Sequence, residues 1–180
     1  SSPRRRAFLA TRRPDLVYGE LRGNVPTRLA KRDAGEHDAI VLARAGLVRL
    51  GLERRIDEVL GPDLVLPAVG QGALAVECRD DDDLARRTLA SIESPADRLA
   101  VDAERAFLAA LEGGCHLPAG IWSSREGDRL HLEGGVARPD GSLEIRRRVE
   151  GPAASPVDLG RRLADEILAA GGGAIVSTWR

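Results

Sequence analysis

The stretch Pro67-Ala68-Val69-Gly70-Gln71-Gly72 separates two parts of the chain that differ in sequence pattern. One proline and two glycines stand between apolar segments, as expected where a chain crosses between domains or where two backbones approach closely. The apolar residues 73–78 that follow predict a strand near a domain edge, with Cys78 as a structural residue. The expected organisation is a first unit over residues 1–66, a crossover over residues 67–93, and a second unit over residues 94–180.

Upstream of this stretch, helical and extended patterns alternate. The predicted segments are helices at residues 4–12, 26–34 and 45–50 and extended stretches at residues 16–20 and 39–42, the last as a short buried strand. Asn24 can cap the second helix, Pro26 suits its first turn and Gly35 can end it. This βα alternation predicts the α/β class, with a mostly parallel sheet and helices on its faces.

Downstream, Ser94-Pro95-Ala96-Asp97 has the features of a helix start. The serine can cap the helix, the proline suits its first turn, and the aspartate meets the positive end of the helix dipole. The apolar stripe of this helix comprises Leu99, Ala103, Ala106, Phe107, Ala110 and Leu111. Gly113-Gly114 must end the helix, which leaves Cys115 on a loop.

After that loop, the pattern predicts a small antiparallel sheet and a last helix. Turns at Glu126-Gly127-Asp128 and Pro139-Asp140-Gly141 separate three extended stretches. These stretches cover residues 121–124, 129–137 and 143–150. Ser155-Pro156 begins a helix that glycines end at residues 171–173, and residues 174–179 are expected to be extended. The second unit is therefore expected to be a small α+β domain.

Charge and composition exclude several classes of partner. The net charge is −1, yet the first fifty-five residues are clearly arginine-rich. One tyrosine and two phenylalanines leave no aromatic strand on which bases could stack, so nucleic acid is not an expected ligand. No apolar stretch reaches the roughly 20 residues of a membrane span, and no signal-peptide pattern opens the chain, so a cytoplasmic protein without a membrane partner is expected. Cys78 and Cys115 lack neighbours at zinc-site spacings, and neither metal nor disulfide is expected.

Several arginines stand near helix starts that a parallel α/β unit would gather at one edge. They are Arg4 and Arg5 beside Ser1 and Ser2, Arg22 and Arg28 around the second helix start, and Arg49 in the third helix. Guanidinium groups hold carboxylates bidentately, so the expected ligand is a polycarboxylate or polyphosphate. The competing interpretation is that arginines only cover solvated faces. We expect this of Arg12, Arg13, Arg32, Arg54, Arg55 and Arg146 to Arg148.

Cys115 occupies a position where thiol chemistry is plausible. Glycines precede it and Pro118 stiffens the exit of its loop. A thiolate forms there if a cation or a helix end lowers the thiol pKa, and the thiolate is the attacking form. Spacing alone leaves two interpretations open: a cysteine without a role and a reactive thiol, such as one that does redox chemistry.

The order of several motifs resembles successive blocks of the porphobilinogen deaminase family. These blocks are Ser1-Ser2-Pro3-Arg4-Arg5, Leu21-Arg22-Gly23-Asn24-Val25-Pro26-Thr27-Arg28, Asp38-Ala39-Ile40-Val41-Leu42-Ala43, Ala45-Gly46-Leu47-Val48-Arg49-Leu50-Gly51, Leu66-Pro67-Ala68-Val69-Gly70-Gln71-Gly72-Ala73 and Glu112-Gly113-Gly114-Cys115. The similarity runs through essentially the whole chain. Pro3 and His116 depart from the residues usual in the family, and neither departure removes a charged group of a motif.

The resemblance implies an enzyme, also called hydroxymethylbilane synthase, that joins four porphobilinogen molecules head to tail with loss of ammonia in haem and tetrapyrrole biosynthesis. It implies a dipyrromethane cofactor attached by a thioether to Cys115. Acetate and propionate arms of the cofactor and the growing polypyrrole would be bound by Ser2, Arg4, Arg5, Arg22, Arg28 and Arg49. Arg22, Arg28 and Thr27 would also contact substrate.

The resemblance further implies three domains and a monomer when the enzyme is complete. Residues 1–66 would belong to the second domain, which is periplasmic-binding-protein-like, residues 73–78 to a returning part of the first domain, and residues 94–180 to the third. The first domain would precede the Ser1-Ser2 block and supply the catalytic aspartate, which neither Asp38 nor Asp102 matches. We therefore expect this chain to be inactive alone. The alternative is a non-catalytic pyrrole-binding or polyanion-binding module.

Overall fold

The computed structural model describes residues 2–112 and 117–179. Helices dominate its first half, and a single three-stranded sheet with further helices forms the second. The helices are α1 Pro3–Arg12, α2 Val25–Asp33, α3 Arg44–Arg49, α4 Asp83–Ala90, α5 Pro95–Ala110, α6 Pro156–Ile167 and α7 Gly173–Val176. The strands are β1 Ala119–Glu126, β2 Arg129–Ala137 and β3 Glu144–Pro152. This mixture of helices with an antiparallel sheet confirms the main features of the expected fold class.

Three helix starts expected from the sequence are confirmed, each with a side-chain cap. Ser2 Oγ accepts a hydrogen bond from the Arg5 N–H at 3.4 Å, and Asn24 Oδ1 accepts one from the Thr27 N–H at 2.9 Å. Ser94 caps α5 in the same way through the N–H of Asp97. In each case a side-chain oxygen satisfies a backbone donor that has no partner within the helix.

The parallel sheet expected in residues 1–66 is not formed among the described residues. Residues 16–20 and 39–42 have no strand partners, Val17 is 99% exposed, and residues 39–42 are not buried. Residues 73–78 also form no strand and are fully on the surface, with Cys78 exposed. An isolated extended segment leaves its backbone groups without a ladder, so these segments cannot become strands without a neighbouring strand.

The sheet has the order β1-β2-β3, with both pairs antiparallel. Ile121, Gly134 and Arg147 lie opposite one another, as do Ser123, Leu132 and Val149. One face of the sheet packs against α5 and α6 and forms the main core. Its largest fully buried side chains include Phe107, Leu111, Ile121, Leu130, Leu132, Leu163, Ile167 and Ile175.

The end of the chain differs from the expected extended segment. Gly171 has a φ of +99°, and a short helical stretch follows through α7 and a 3-10 turn at Ser177–Trp179. Ile175 and Val176 are buried against the core there. Because both residues are β-branched, their local preference is for a strand, and packing against the sheet overrides it.

The two parts of the chain meet where α1 and the crossover approach the opposite face of the sheet. Ala7, Phe8, Leu66 and Ala137 form a separate buried cluster. Gly120 in β1 is required for this approach, because a Cβ there would lie 2.5 Å from Leu66 Cβ and 2.9 Å from Leu66 O. The sheet thus holds α1 and Leu66 against one face. The expected boundaries at residues 66 and 93 stay a prediction.

Candidate functional site

The start of α1 places two adjacent arginines in partly buried positions. Arg4 is only 9% exposed, and its guanidinium donates to Leu66 O and, at 3.4 Å, to Gln71 Oε1. Arg5 donates from Nη1 to Val41 O at 3.0 Å. All three acceptors are neutral. The helix start therefore carries two positive charges that the acceptors do not neutralise.

The start of α2 adds a third cation to this group. Arg28 donates from Nε to Gly23 O at 2.7 Å. Gly23 has a φ of +116°, and a Cβ there would lie 2.8 Å from Thr27 Cγ2, so this turn requires glycine. Thr27 Oγ1 donates to Asn24 Oδ1 at 2.7 Å. The turn and its cap hold Arg28 at the same end of α2 as Thr27.

The pKa values record how these cations affect one another. Burial, and then repulsion by Arg5, lower the pKa of Arg4 to about 10. Burial, followed by repulsion from Arg28, also lowers the pKa of Arg5. Among the described residues, none of these three arginines forms an ion pair with a carboxylate. A partly buried cluster of like charges is costly unless an anion joins it, so the arrangement favours a negatively charged ligand.

The other two candidate arginines are less constrained. The Arg22 side chain is 87% exposed, and its Nε lies 3.9 Å from Glu20 Oε2. Arg49 lies on the exposed surface at the last position of α3. The structure thus brings Arg4, Arg5 and Arg28 into electrostatic contact and leaves Arg22 and Arg49 extended toward solvent.

Cys115, the expected covalent anchor, lies outside the described residues, as do Ser1 and His116. Its place in the chain is bracketed by described elements: Leu111, directly after α5, and Leu117, just before β1, are both buried in the main core. Both ends of its loop are therefore fixed to the second unit. Its role as an anchor stays a prediction.

Most arginines expected to be solvated form surface ion pairs. Arg12 contacts Glu144 at 2.6 Å, Arg13 contacts Asp15, and both Arg32 and Arg55 contact Asp33. Arg54 is exposed. These arginines are either neutralised by carboxylates or surrounded by water, unlike the cluster formed by Arg4, Arg5 and Arg28.

Arg146 contradicts the expectation of a solvated side chain. It is 16% exposed, lies 5.2 Å from the centre of the Phe8 ring and donates to Pro62 O at 2.8 Å. It also pairs with Glu133 and Glu144. The reason is its register, because it follows buried Ile145 and points to the sheet face that α1 covers. Arg147 and Arg148 are exposed, as expected.

Sequence reasoning missed a buried carboxylate, Glu104 in α5. Its Oε2 accepts from the Gly70 N–H at 2.7 Å, and its Oε1 accepts from Ser123 Oγ at 2.6 Å. Burial raises the pKa of Glu104 against the opposing effect of these hydrogen bonds. A signal was present in the sequence: position 104 lies three residues before Phe107 and seven before Leu111, on the apolar face of α5.

Over residues 2–112 and 117–179, no three or more His, Cys, Asp or Glu side chains are grouped as a metal ion would require. None of the helices in the same residues combines the length and apolar character needed to cross a membrane.

Comparison with known proteins gives matches to two domain models and to many curated relatives. Residues 1–87 match the family model described as "Porphobilinogen deaminase, dipyromethane cofactor binding domain", and residues 98–169 match "Porphobilinogen deaminase, C-terminal domain". The chain is 50% identical over 177 residues to a protein named porphobilinogen deaminase from Roseiflexus sp. (strain RS-1). It is 51% identical over 177 residues to the protein of that name from Roseiflexus castenholzii (strain DSM 13941 / HLO8). Each alignment covers 98% of this chain and 58% of the relative.

Proposed function

Because the chain belongs to the porphobilinogen deaminase family, we propose that it forms the carboxylate-binding and cofactor-anchoring part of a hydroxymethylbilane synthase. The complete enzyme would be a transferase that joins four porphobilinogen units head to tail, with loss of ammonia, to give hydroxymethylbilane for tetrapyrrole synthesis. The observation that carries the proposal is the cluster of Arg4, Arg5 and Arg28, because its charges lack carboxylate partners among the described residues.

The proposed ligands suit this cluster chemically. Each pyrrole of the cofactor and of the growing product carries two carboxylate arms, so charge accumulates as the chain lengthens. Arg4 and Arg5 would hold cofactor carboxylates at the start of α1, with Ser2 as a neutral donor beside them. Arg28 and Thr27 would hold substrate carboxylates at the start of α2. Exposed Arg22 and Arg49 would move onto carboxylates that arrive later.

A dipyrromethane cofactor bound through Cys115 would supply a nucleophilic pyrrole carbon to which units are added. The residues of this chain would bind and orient its carboxylates. Buried guanidinium groups suit that task because they remain charged at neutral pH and hold two oxygens at fixed spacing. Neutral acceptors such as Leu66 O and Val41 O fix the arginines without cancelling their charge.

The chain spans 58% of the length of the curated relatives that it matches. We propose that a further domain supplies the catalytic aspartate and covers the exposed apolar side chains around residues 73–92. These include Leu74, Val76, Leu84 and Ile92, which are between 62% and 77% exposed. The cytoplasmic location and the monomeric state of the complete enzyme belong to the same proposal.

A binding measurement on the 180-residue chain tests the carboxylate site. Isothermal calorimetry would use a dipyrromethane bearing acetate and propionate arms as the probe. Arg5→Met should weaken binding by about 10-fold or more, since hydrogen bonds to charged groups contribute about 1.5–3 kcal/mol. Arg54→Met is the matched control, because Arg54 is exposed and lies outside the cluster. Equal affinities of the native chain and Arg5→Met would contradict the assignment.

An activity measurement tests whether this chain needs a further domain for catalysis. The purified 180-residue chain should not consume porphobilinogen, because binding groups do not replace a carboxylate that contributes at least about 100-fold through proton transfer. Sustained turnover by this chain would show that no further domain is needed. A longer protein that binds the probe yet consumes no porphobilinogen would favour a non-catalytic binding module.

A further inference from the structure

Glu104 is a buried carboxylate with no cation beside it among the described residues. It is 9% exposed, and its two recorded partners are the backbone N–H of Gly70 and the hydroxyl of Ser123. Other buried acids of the sheet, such as Glu133, pair with arginine. A charged acceptor makes these two hydrogen bonds short and strong. Glu104 thus fastens the crossover to both α5 and β1.

The loop held by Glu104 also holds Arg4. Gly70 has a φ of +67°, and the next residue, Gln71, accepts from Arg4 Nη2 at 3.4 Å and from the Ala68 N–H at 3.4 Å. Leu66, just before the loop, accepts from the same guanidinium. The contacts form a continuous series from Ser123 through Glu104 and the loop to Arg4.

We propose that Glu104 is a positioning residue for the anion site: by fixing Gly70 it places Gln71 and Leu66 O where they orient the Arg4 guanidinium. This inference rests on the proposed function only where it assigns Arg4 to carboxylate binding. The series joins the helix that leads toward Cys115 to the helix start that carries Ser2 and Arg5. The series therefore keeps α5 and the start of α1 in a fixed relation to each other.

The side-chain chemistry allows two informative variants at this position and one control beside it. Glu104→Ala removes both acceptors. Glu104→Gln can still accept from the Gly70 N–H while it donates to Ser123 Oγ, so it keeps the geometry without the charge. Arg105→Ala is the control, because Arg105 is the next residue of the same helix and is exposed.

Amide exchange and nuclear magnetic resonance of the 180-residue chain test the contact between Glu104 and Gly70. In Glu104→Ala, exchange protection of the Gly70 amide should fall about 10-fold or more, while the Leu132 amide in the sheet keeps its protection. Arg105→Ala should leave both unchanged. The Gly70 resonance should move as Glu104 titrates in the native chain and stay fixed in Glu104→Gln. The inference would be overturned if Glu104→Ala left the exchange protection of the Gly70 amide unchanged. It would also be overturned if the Gly70 resonance moved with pH equally in Glu104→Gln.

The link from the loop to Arg4 is tested with Gln71→Ala, which changes an exposed side chain and should leave the melting temperature within about 2 °C. Affinity for the dipyrromethane probe should fall about 3-fold in Gln71→Ala and about 10-fold in Glu104→Ala, and Glu104→Gln should restore it to within about 2-fold. Unchanged affinity in Gln71→Ala refutes the link. If the native chain binds no probe, the proposed function fails, and Gly70 exchange alone decides whether Glu104 positions the loop.

Discussion

Gly160→Ala should destabilise the second unit, which contains Glu104 and the helix that precedes Cys115. Gly160 lies in the middle of α6, directly against the backbone of α5. A Cβ at position 160 would lie well inside van der Waals contact of Ala103 O and 3.0 Å from Phe107 N. Backbone atoms cannot rotate away as a side chain can. The two helices would have to separate along their shared face.

The expected change in the free energy of unfolding is the difference between two opposing effects. Overpacking of a core costs about 1–3 kcal/mol, and a clash with backbone belongs at the upper end of that range. Alanine is the better helix former, which returns about 1 kcal/mol. The expected net loss is about 2 kcal/mol in the free energy of unfolding. For a chain of this size that corresponds to a fall of about 4–8 °C in melting temperature.

Thermal and urea unfolding followed by circular dichroism measure the effect. Gly46→Ala is the matched control, since Gly46 is also helical and its Cβ would lie at an ordinary 3.5 Å from Val25 Cγ2. That variant should be as stable as the native chain or slightly more stable, because only the propensity gain operates. The reasoning would be refuted by a Gly160→Ala variant whose unfolding midpoint matches that of the native chain.

Three further predictions concern charge and covalent chemistry. Arg146→Met should lower the free energy of unfolding by about 1.5–3 kcal/mol because it removes a largely buried partner of Glu133 and Glu144, whereas exposed Arg147→Met should change it by less than about 0.5 kcal/mol; equal urea midpoints would contradict this. Burial raises the pKa of Glu104, so its contribution to stability is fully present below the ordinary pKa and is lost as pH rises through the folded pKa. The stability of the native chain relative to Glu104→Gln should therefore decline as pH rises through that window, and a difference that grows with pH would have the wrong sign. In the longer enzyme, mass spectrometry should find a two-pyrrole adduct that Cys115→Ser abolishes, and an adduct on Cys78 would refute the anchor assignment.

Local signals predicted α5, α6 and the sheet of the second unit with little need for tertiary information. Ser2, Asn24 and Ser94 mark three helix starts, and each is confirmed by a capping hydrogen bond. Glycine and aspartate turns separated the three strands correctly. Caps and turns depend on residues within about four positions of one another, so the sequence contains the information directly.

Segments that need a distant partner were not predicted correctly. Residues 73–78 have the apolar pattern of a strand and remain exposed and without a ladder. Conversely, Ile175 and Val176 have strand-like residue types and form a helical turn because the core accommodates them there. Strand formation requires a second strand, and the local pattern does not show whether one is present.

In the candidate site, too, the sequence predicted some features and tertiary contacts determined others. The arginine motifs and the ligand class that they favour could be read from residue types, because guanidinium chemistry does not depend on the fold. Only the tertiary structure showed that Arg4 is buried and Arg5 partly buried, both with neutral acceptors, and that Arg146 is a partly buried ion-pair partner of the sheet. It also joined Glu104 to Gly70, across 34 positions of sequence. Burial and long-range hydrogen bonds arise from packing, so the sequence determined the chemistry available and the fold decided which charges lack a counter-ion.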